Sequence, residues 1–267
     1  MPLTPFQAKV SGLLAVNRRP DSYLAGGAAL HFLPNSKRYS NDLDFFHDSE
    51  ERVAEAFAAD RTLLEKHGIK VAVQIAQPGY VRALVSLAQE STKIDWAHDS
   101  AWRFMPPVRL AGAGFALHPL DLAVNKTLAL AGRDEPRDFL DVLDAHERLL
   151  PFAGLVWAAV GKDPGFTPLS LLELLRRRGR YQPVDFERLR LVQPVRPTEL
   201  KTQWLAALED AERFARSRPP EELGCLYYSP GKRAFVVPGP DAPTDAVAHF
   251  AKPGGVLPSL YAGDPLV

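Results

Sequence analysis

A change in hydrophobic period near His118 is the sequence feature that most constrains the fold of this chain. Before it, three β-rich runs at 69–75, 81–87 and 91–96 have the composition of neighbouring strands. After it, apolar residues recur at helical spacing over 120–131 and 136–149. The sequence therefore predicts an α/β (α+β) chain, with a mixed-sheet catalytic domain at residues 1–117 and a mostly helical domain at 118–267.

Further elements are predicted in the helical part. Helical apolar stripes cover 169–178 and 198–216. The runs 224–228 and 234–237 flank Ser229-Pro-Gly-Lys and are typical of a β-hairpin. Prolines and glycines dominate the sequence after this hairpin. We therefore expect a late hairpin followed by a loop-rich tail.

A pair of glycines interrupts the sequence near the N-terminus. Residues 23–25 favour a short strand and 28–33 a short helix, with Gly26 and Gly27 between them. Glycine lets the backbone approach phosphate oxygens, and a helix N-terminus offers unpaired amides to them. The alternative is an ordinary turn. Gly26 and Gly27 are therefore candidate phosphate-binding residues.

Two aspartates alternate with apolar residues shortly afterwards. Residues 42–46 favour a strand, in which Asp42 and Asp44 project from one face while Leu43 and Phe45 point into the core. Magnesium prefers oxygen ligands and is usually held by one or two carboxylates together with substrate phosphates. Alternatively, the pair is two solvated aspartates at a strand end. The nearby glycine turn favours the metal site.

A third carboxylate follows on a later predicted strand. Lys93 and Asp95 share a face, with Ile94 buried between them. Asp95 would complete a site of three carboxylates, in which two metal ions activate the attacking hydroxyl and neutralise the triphosphate. The alternative is a surface Lys/Asp pair on an edge strand.

Charged residues of the helical part supply candidate contacts to a triphosphate. Lys126 and Arg133 could bind phosphate oxygens, one as a point charge and the other as a fork. Arg137 and Asp141 are spaced i and i+4, so a solvated helix face held by ion pairs is an equal alternative. Residues 176–201 carry eight basic and three acidic side chains. This segment could hold an RNA backbone, although an ordinary solvated surface is favoured because no aromatic residues interleave with the charges.

Composition limits the remaining classes of protein. Lys plus Arg and Asp plus Glu both number 32, so no net charge points to nucleic acid or to an anionic membrane. The single cysteine, Cys225, excludes an intrachain disulfide and fits a reducing compartment. No segment approaches the roughly 20 apolar residues that span a bilayer. We therefore expect a cytoplasmic protein without a membrane partner.

Three stretches together resemble the AbiEii/AbiGii-type nucleotidyltransferase toxins of the DNA polymerase beta-like superfamily. The stretches are Tyr23-Leu-Ala-Gly-Gly-Ala-Ala-Leu through Arg38-Tyr-Ser-Asn-Asp-Leu-Asp-Phe; Lys93-Ile-Asp; and Leu120-Asp-Leu-Ala-Val-Asn-Lys-Thr-Leu-Ala-Leu with Arg133 and Arg137-Asp-Phe-Leu-Asp. They span roughly residues 20–145, and their combination is more specific than any one of them. Gly27 departs from the serine that is common in the superfamily.

The resemblance implies transfer of a nucleoside monophosphate from an NTP to an acceptor hydroxyl, with release of pyrophosphate. It implies two Mg²⁺ ions, with Mn²⁺ as a substitute, held by Asp42, Asp44 and Asp95. The implied nucleotide-binding set is Gly26, Gly27, Ser40, Lys93, Lys126, Arg133 and Arg137. The implied partners are tRNA or another RNA as acceptor and a cognate antitoxin. The alternatives are a protein or small-molecule nucleotidyltransferase and a non-catalytic nucleotide-binding interaction protein.

Overall fold

A computed structural model describes residues 3–31, 37–240 and 243–258, with only the backbone of His31 included. The chain divides into two compact units. The first comprises Met1–Leu122, Arg190–Gln193 and Pro253–Gly255, and the second comprises Ala123–Leu189, Pro194–Lys252 and Val256–Val267. The division into domains 1–117 and 118–267 stays a prediction.

The first unit contains a mixed sheet and flanking helices. Its helices are α1 Pro5–Leu14, α2 Gly26–His31 and α3 Glu50–Lys66, and its strands are β1 Ser22–Ala25, β2 Asp42–His47, β3 Lys70–Gln77, β4 Tyr80–Leu87, β5 Glu90–His98, β6 Trp102–Arg103, β7 Val108–Leu110 and β8 Gly114–Ala116. Helix α2 is confirmed as far as His31, and positions 32 and 33 of the predicted helix lie outside the described residues.

Seven strands form one sheet in the order β3-β4-β5-β2-β1-β8-β7. Strand β2 pairs in parallel with β5 and antiparallel with β1. Leu43 of β2 and Ile94 of β5 are completely buried, as the alternating pattern predicts. Strand β3 is an edge strand, and its Val73 and Ile75 are 43% and 40% exposed. The candidate carboxylates therefore lie on the central strands of the sheet.

Local capping explains where the helices of this unit begin. Thr4 caps α1 and forms a reciprocal capping box with Gln7. The Ser49 hydroxyl accepts a hydrogen bond from the backbone amide of Arg52 at the start of α3. Gly68, with φ +73°, follows the end of α3 in the left-handed region. Ser49 followed by two glutamates, and Gly68 after the last turn, are sequence signals typical of a helix start and stop, and α3 begins and ends at them.

A buried ion pair connects the helices of the first unit to its sheet. Asp60 of α3 accepts hydrogen bonds from Arg18 at 2.5 Å to both carboxylate oxygens. Its Oδ2 also accepts from the indole Nε1 of Trp96 at 2.7 Å. The side chains of Arg18 and Asp60 are both fully buried. This network fixes Trp96, the neighbour of Asp95 on β5.

The second unit is mostly helical and carries a small sheet, as predicted. Helix α4 Pro119–Arg133 begins in the first unit; the other elements are α5 Pro136–Arg148, α6 Phe152–Lys162, α7 Pro168–Arg176, α8 Pro183–Glu187, α9 Pro197–Ser217, β9 Leu226–Ser229, β10 Ala234–Val236, β11 Val247–His249 and β12 Lys252–Pro253. The predicted hairpin is the antiparallel pair β9–β10, and β11 adds a third strand on the other side of β9.

Aromatic side chains form the core of the second unit. The ring of Trp204 on α9 lies 5.3 Å from that of Phe139 on α5 and 4.8 Å from that of Phe152 on α6. All three residues are nearly fully buried. Within the described part of the chain, no helix combines the length and the apolar character needed to cross a lipid bilayer.

Candidate active site

Asp42 and Asp44 lie on the more accessible face of β2. Both are partly exposed, whereas Leu43 and Phe45 between and after them are completely buried. This alternation is what a strand with one covered face produces. Two of the predicted carboxylates therefore point to the same side of the sheet.

The register of β2 and β5 brings the third carboxylate alongside them. Asp44 is the partner of Asp95 in this parallel pair, and Asp42 is the partner of Lys93. Partner residues on neighbouring strands project from the same face, with the strands about 4.8 Å apart. The structure therefore brings together Asp42, Asp44, Asp95 and Lys93 on one face.

The glycine turn lies directly against this carboxylate face. Ala25, the last residue of β1, is the register partner of Asp44, and Gly26 follows it with φ +60°. A Cβ atom on Gly26 would lie 1.8 Å from Asp44 Oδ2. Only glycine tolerates both this approach and this backbone conformation.

Gly27 is closely surrounded by polar side chains. A Cβ atom there would lie 3.1 Å from Arg38 Nη2 and 3.3 Å from Ser40 Oγ. The Ser40 hydroxyl donates to the backbone oxygen of Asp42 at 2.9 Å, and Ser40 is 1% exposed. Arg38 and Ser40 occupy the space that a serine side chain at position 27 would need. Ser40 thus positions the backbone at the start of β2.

Asp95 is held by two residues that the sequence analysis did not single out. Arg82 Nε donates to Asp95 Oδ1 at 2.8 Å, and Arg82 Nη2 donates to Oδ2 at 2.6 Å. The Tyr80 hydroxyl also donates to Oδ2, at 3.0 Å. Tyr80 and Arg82 are two apart on β4, so the alternation of that strand could have placed both on one face.

These contacts shift the ionisation of the two partners. The hydrogen bond from Arg82 to Asp95 raises the pKa of the guanidinium above its usual value. Burial, followed by the charge of Asp95, raises the pKa of the Tyr80 phenol to about 12. Both groups therefore keep their protons around neutral pH and remain hydrogen-bond donors to Asp95.

The donor set on this face suits a hard divalent cation only in part. Asp42 and Asp44 offer carboxylate oxygens on a partly exposed face, which magnesium favours. Both oxygens of Asp95 already accept hydrogen bonds from Arg82. Across residues 3–31, 37–240 and 243–258, no three His, Cys, Asp or Glu side chains form a group that could hold a metal ion. Oδ1 of Asp95 accepts one of these hydrogen bonds and Oδ2 accepts two, so a cation at Asp95 would share this carboxylate with Arg82.

The predicted contacts of the helical part form a separate charged cluster within the second unit. The Lys126 ammonium lies 2.8 Å from Asp138 Oδ1 and 3.0 Å from Asp141 Oδ2. Arg133 donates to Asp138 through Nε at 2.6 Å and through Nη2 at 3.0 Å. The alternative of a solvated face with an Arg137–Asp141 ion pair is wrong: Asp141 is buried and binds Lys126, and no ion pair joins Arg137 to it among the described residues.

Burial makes this cluster a structural feature of the second unit. The side chain of Asp138 is completely buried and that of Lys126 is 8% exposed. Burial opposes ionisation of Asp138, but hydrogen bonds from Arg133 and Lys126 outweigh it and lower the pKa of this carboxyl group. Asp138 therefore stays charged and holds two cations of helix α4 against α5.

Sequence comparison identifies the family to which this arrangement belongs. The profile of the family described as "Nucleotidyl transferase AbiEii toxin, Type IV TA system" matches residues 11–223. The chain belongs to the AbiEii nucleotidyltransferase toxin family. The match covers the glycine turn, the three aspartates and the Lys126 cluster, so the resemblance seen in the sequence motifs is confirmed. No curated protein is significantly similar to this AbiEii family member.

Solved structures show the same fold. MenT4, a nucleotidyltransferase toxin from Mycobacterium tuberculosis H37Rv, is 20% identical and superposes with a TM-score of 0.56, over 79% of this chain and 85% of MenT4. JHP933 from Helicobacter pylori is 15% identical with a TM-score of 0.47, over 79% of this chain and 94% of its own. The likeness to MenT4 confirms the mixed-sheet fold class predicted for this AbiEii family member.

Proposed function

We propose that this AbiEii family member transfers a nucleoside monophosphate from an NTP to an acceptor hydroxyl and releases pyrophosphate. One observation carries the proposal: Asp44, Asp42 and Asp95 share one sheet face, and Gly26 lies against Asp44. Family membership supports nucleotidyl transfer as the class of reaction. The reaction displaces pyrophosphate from the α-phosphorus, where the acceptor oxygen forms the new bond.

Asp42 and Asp44 are the proposed ligands of Mg²⁺, or of Mn²⁺ in its place. When bound, such ions neutralise the triphosphate and lower the pKa of the attacking hydroxyl. Asp95, the register partner of Asp44, is the third proposed ligand. Its two donors, Arg82 and Tyr80, fix the orientation of its oxygens before substrate binds.

The backbone amides at Gly26 and Gly27 are the proposed phosphate contacts. Gly26 is partly exposed, and the absence of a Cβ atom lets its backbone lie beside Asp44, whereas Gly27 is buried next to Arg38 and Ser40. Ser40 supports the turn from below through its bond to the Asp42 carbonyl. Lys93, the register partner of Asp42, is the nearest proposed cation on the sheet. We further propose Lys126, Arg133 and Arg137 as nucleotide contacts. Lys126 and Arg133 also form ion pairs with the buried Asp138.

The proposed acceptor is RNA, with tRNA as the first candidate, and the proposed regulator is a cognate antitoxin. Membership of a toxin family supports a cellular target whose modification arrests growth. A protein or small-molecule acceptor is the second candidate for the same chemistry. These candidates differ only in which cell fraction receives the nucleotide.

The test is transfer of label from each of the four NTPs, labelled at the α-phosphate, in a cell extract with Mg²⁺. RNA, protein and small molecules are then separated and counted. We expect label in RNA, and a loss of at least about a hundredfold in Asp42→Asn and Asp44→Asn, as for removal of groups that stabilise transition-state charge. Glu90→Gln, which changes an exposed carboxylate elsewhere on β5, is the matched control and keeps full activity.

Two results would contradict the proposal. Full activity in either aspartate variant would exclude the carboxylate site as the site of transfer. NTP binding by the parent protein without any release of pyrophosphate would instead indicate a nucleotide-binding protein that lacks the reaction. Label in protein or in small molecules would support the proposed transfer reaction and show that the acceptor is not RNA.

A further inference from the structure

A cavity of about 670 Å³ lies within the second unit, apart from the residues assigned to transfer. It falls within the size range of pockets that bind small molecules. The segment that joins α7 to α8 forms one side, and the start of α9 forms another. The cavity is lined by Phe139, Arg176, Arg178, Gly179, Arg180, Tyr181, Gln182, Pro183, Phe186, Pro197, Thr198, Lys201, Trp204 and Leu205.

The charge of this lining is of one sign. Four arginine and lysine side chains line the cavity and no aspartate or glutamate does. Two of the four are already neutralised: Arg176 pairs with Glu212, and Arg178 pairs with Asp134 at 3.3 Å. The other two, Arg180 and Lys201, are exposed, and neither forms an ion pair within the described part of the chain. The cavity therefore offers two uncompensated cations in a chain of zero net charge.

Nearby carboxylates are occupied elsewhere. Asp185 accepts a hydrogen bond from the backbone amide of Gln182 at 2.8 Å and caps α8. Glu199 accepts from Arg196 at 2.7 Å. Neither residue lines the cavity, so neither neutralises Arg180 or Lys201 there. The electrostatic preference of the cavity is for an anion.

Aromatic residues form the apolar wall. The ring of Tyr181 lies 5.2 Å from that of Phe139 and 5.9 Å from that of Phe186. Trp204, 2% exposed, packs on the other side of Phe139 at 5.3 Å. Tyr181 and Phe186 belong to the basic segment 176–201 itself, so the expectation that no aromatic residues interleave with its charges is wrong.

A buried donor without a partner lies in this wall. The indole Nε1 of Trp204 has no hydrogen-bond partner among the described residues. An unsatisfied buried N–H destabilises the folded state, and such groups in native proteins commonly mark a site for a water or a ligand. Gly179, with φ +74°, passes close by, and a Cβ atom there would lie 2.9 Å from this nitrogen. The backbone of Gly179 therefore packs beside this nitrogen, and a side chain at position 179 would collide with it.

We propose that this cavity binds a nucleoside phosphate, with the phosphate at Arg180 and Lys201 and the base against the aromatic wall. Arg and Lys side chains are the usual partners of phosphate, and a base offers both an apolar face and hydrogen-bond acceptors for Trp204 Nε1. An inorganic anion would contact only Arg180 and Lys201. It would make no contact with the aromatic wall or with Trp204 Nε1. The nucleoside phosphate is either a free nucleotide or one nucleotide of an RNA chain.

Binding is measured by calorimetry in EDTA, on the Asp42→Asn/Asp44→Asn protein, so that the proposed transfer site lacks metal and two of its three carboxylates. The probes are AMP, ATP, inorganic phosphate and an eight-nucleotide single-stranded RNA. We expect saturable binding of AMP or of the RNA that is tighter than that of phosphate. Binding of AMP indicates a free nucleotide, and binding of the RNA alone indicates an RNA chain.

Two variants test the assigned residues. Arg180→Gln/Lys201→Gln weakens binding of the nucleotide probes by about tenfold or more, the effect of losing two phosphate partners. Arg188→Gln/Lys232→Gln removes two exposed cations outside the cavity and leaves the affinity unchanged. Trp204→Phe keeps an aromatic ring and removes the indole N–H, so it weakens binding of the nucleotide probes but not binding of phosphate. The melting temperature of this variant is measured to confirm that it is folded.

Three results would overturn the proposal: no binding of any nucleotide probe, phosphate binding as tight as AMP binding, or equal loss in the cavity variant and its matched control. All measurements are made in EDTA on a protein that lacks the carboxylates of Asp42 and Asp44. They are therefore independent of whether the protein transfers nucleotides. If transfer fails but AMP still binds, the proposed cavity site is supported and only the proposed transfer reaction is rejected. If transfer occurs but no nucleotide probe binds, only the cavity site is rejected.

Discussion

Gly26 lies so close to Asp44 that a Cβ atom at position 26 would be 1.8 Å from Asp44 Oδ2. The same glycine has φ +60°, in the left-handed region. Gly26→Ala therefore forces the Asp44 carboxylate to move and strains the backbone. We expect at least about a hundredfold loss of nucleotidyl transfer, because a misplacement of about 1 Å in a catalytic site has that effect. The measurement is the initial rate of label transfer.

Two other glycines provide the comparison for this variant. Gly12→Ala, in a helix with no atom within 4 Å of the added Cβ, keeps its activity and its melting temperature. Gly27→Ala approaches Arg38 Nη2 at 3.1 Å and loses less activity than Gly26→Ala, because that side-chain end can shift. Equal activity of Gly26→Ala and Gly12→Ala would contradict the assigned role of the Gly26–Asp44 contact.

Arg82 competes with a metal ion for the oxygens of Asp95. Arg82→Gln removes the two guanidinium bonds, so a divalent cation reaches this carboxylate without displacing a charge. We expect the Mg²⁺ concentration that gives half the maximal transfer rate to fall by roughly tenfold, equivalent to about 1.4 kcal/mol. Arg109→Gln, which removes an arginine stacked on Phe115 elsewhere in the same sheet, leaves this concentration unchanged. A higher Mg²⁺ requirement in Arg82→Gln would refute competition at Asp95.

Lys126 holds together two buried carboxylates of the second unit. Lys126→Met leaves Asp138 and Asp141 without this cation in a buried position. We expect the free energy of unfolding to fall by about 3–5 kcal/mol, the usual effect of breaking a buried ion pair. This free energy is measured by urea denaturation, followed by the fluorescence of the aromatic residues of the second unit. Lys232→Met, which replaces an exposed lysine of the same unit, costs far less.

His47 should make the folded state sensitive to acid. It is completely buried, and neither ring nitrogen has a hydrogen-bond partner among the described residues. Burial, with smaller contributions from Arg18 and Arg52, lowers the pKa of His47 to about 3. The unfolded chain binds this proton near pH 6.5, while the folded chain does not until about pH 3.

The stabilising contribution of neutral His47 is therefore complete above pH 6.5 and is lost as the pH falls from 6.5 towards 3. The contribution to the slope is at most about 1.4 kcal/mol per pH unit. We expect His47→Leu to show a shallower decrease of unfolding free energy between pH 6.5 and pH 4.5 than the parent protein does. Parallel curves for the two proteins would show that His47 is not protonated on unfolding.

Local patterns in the sequence predicted the elements that carry the candidate carboxylates. The alternation of 42–46 fixed which face Asp42 and Asp44 occupy, and Ser49 and Gly68 marked both ends of α3. Strand alternation and helix capping depend on residues a few positions apart, so one sequence suffices for them. The sequence did not predict helix α6, because its own residues are apolar on all sides and therefore form no periodic stripe.

Contacts between distant residues were beyond these patterns. The bond from Arg82 to Asp95 depends on the register of β4 with β5, and the bond from Lys126 to Asp138 depends on how α4 packs against α5. The aromatic wall of the cavity likewise gathers Phe139, Tyr181 and Trp204 from separate elements. Spacing along a chain constrains which residues share a face, but it does not determine which faces meet.

The parallel pairing of β2 with β5 has a consequence during synthesis of the protein on the ribosome. Asp44 is made about fifty residues before its partner Asp95, and the hairpin β3–β4 must be added to the sheet beside β5. Contacts of this sequence separation form late because they require closure of a long loop. A nascent chain that has released β2 alone therefore carries no assembled carboxylate group. The carboxylate group on the sheet is therefore assembled only after β5 has been synthesised and paired with β2.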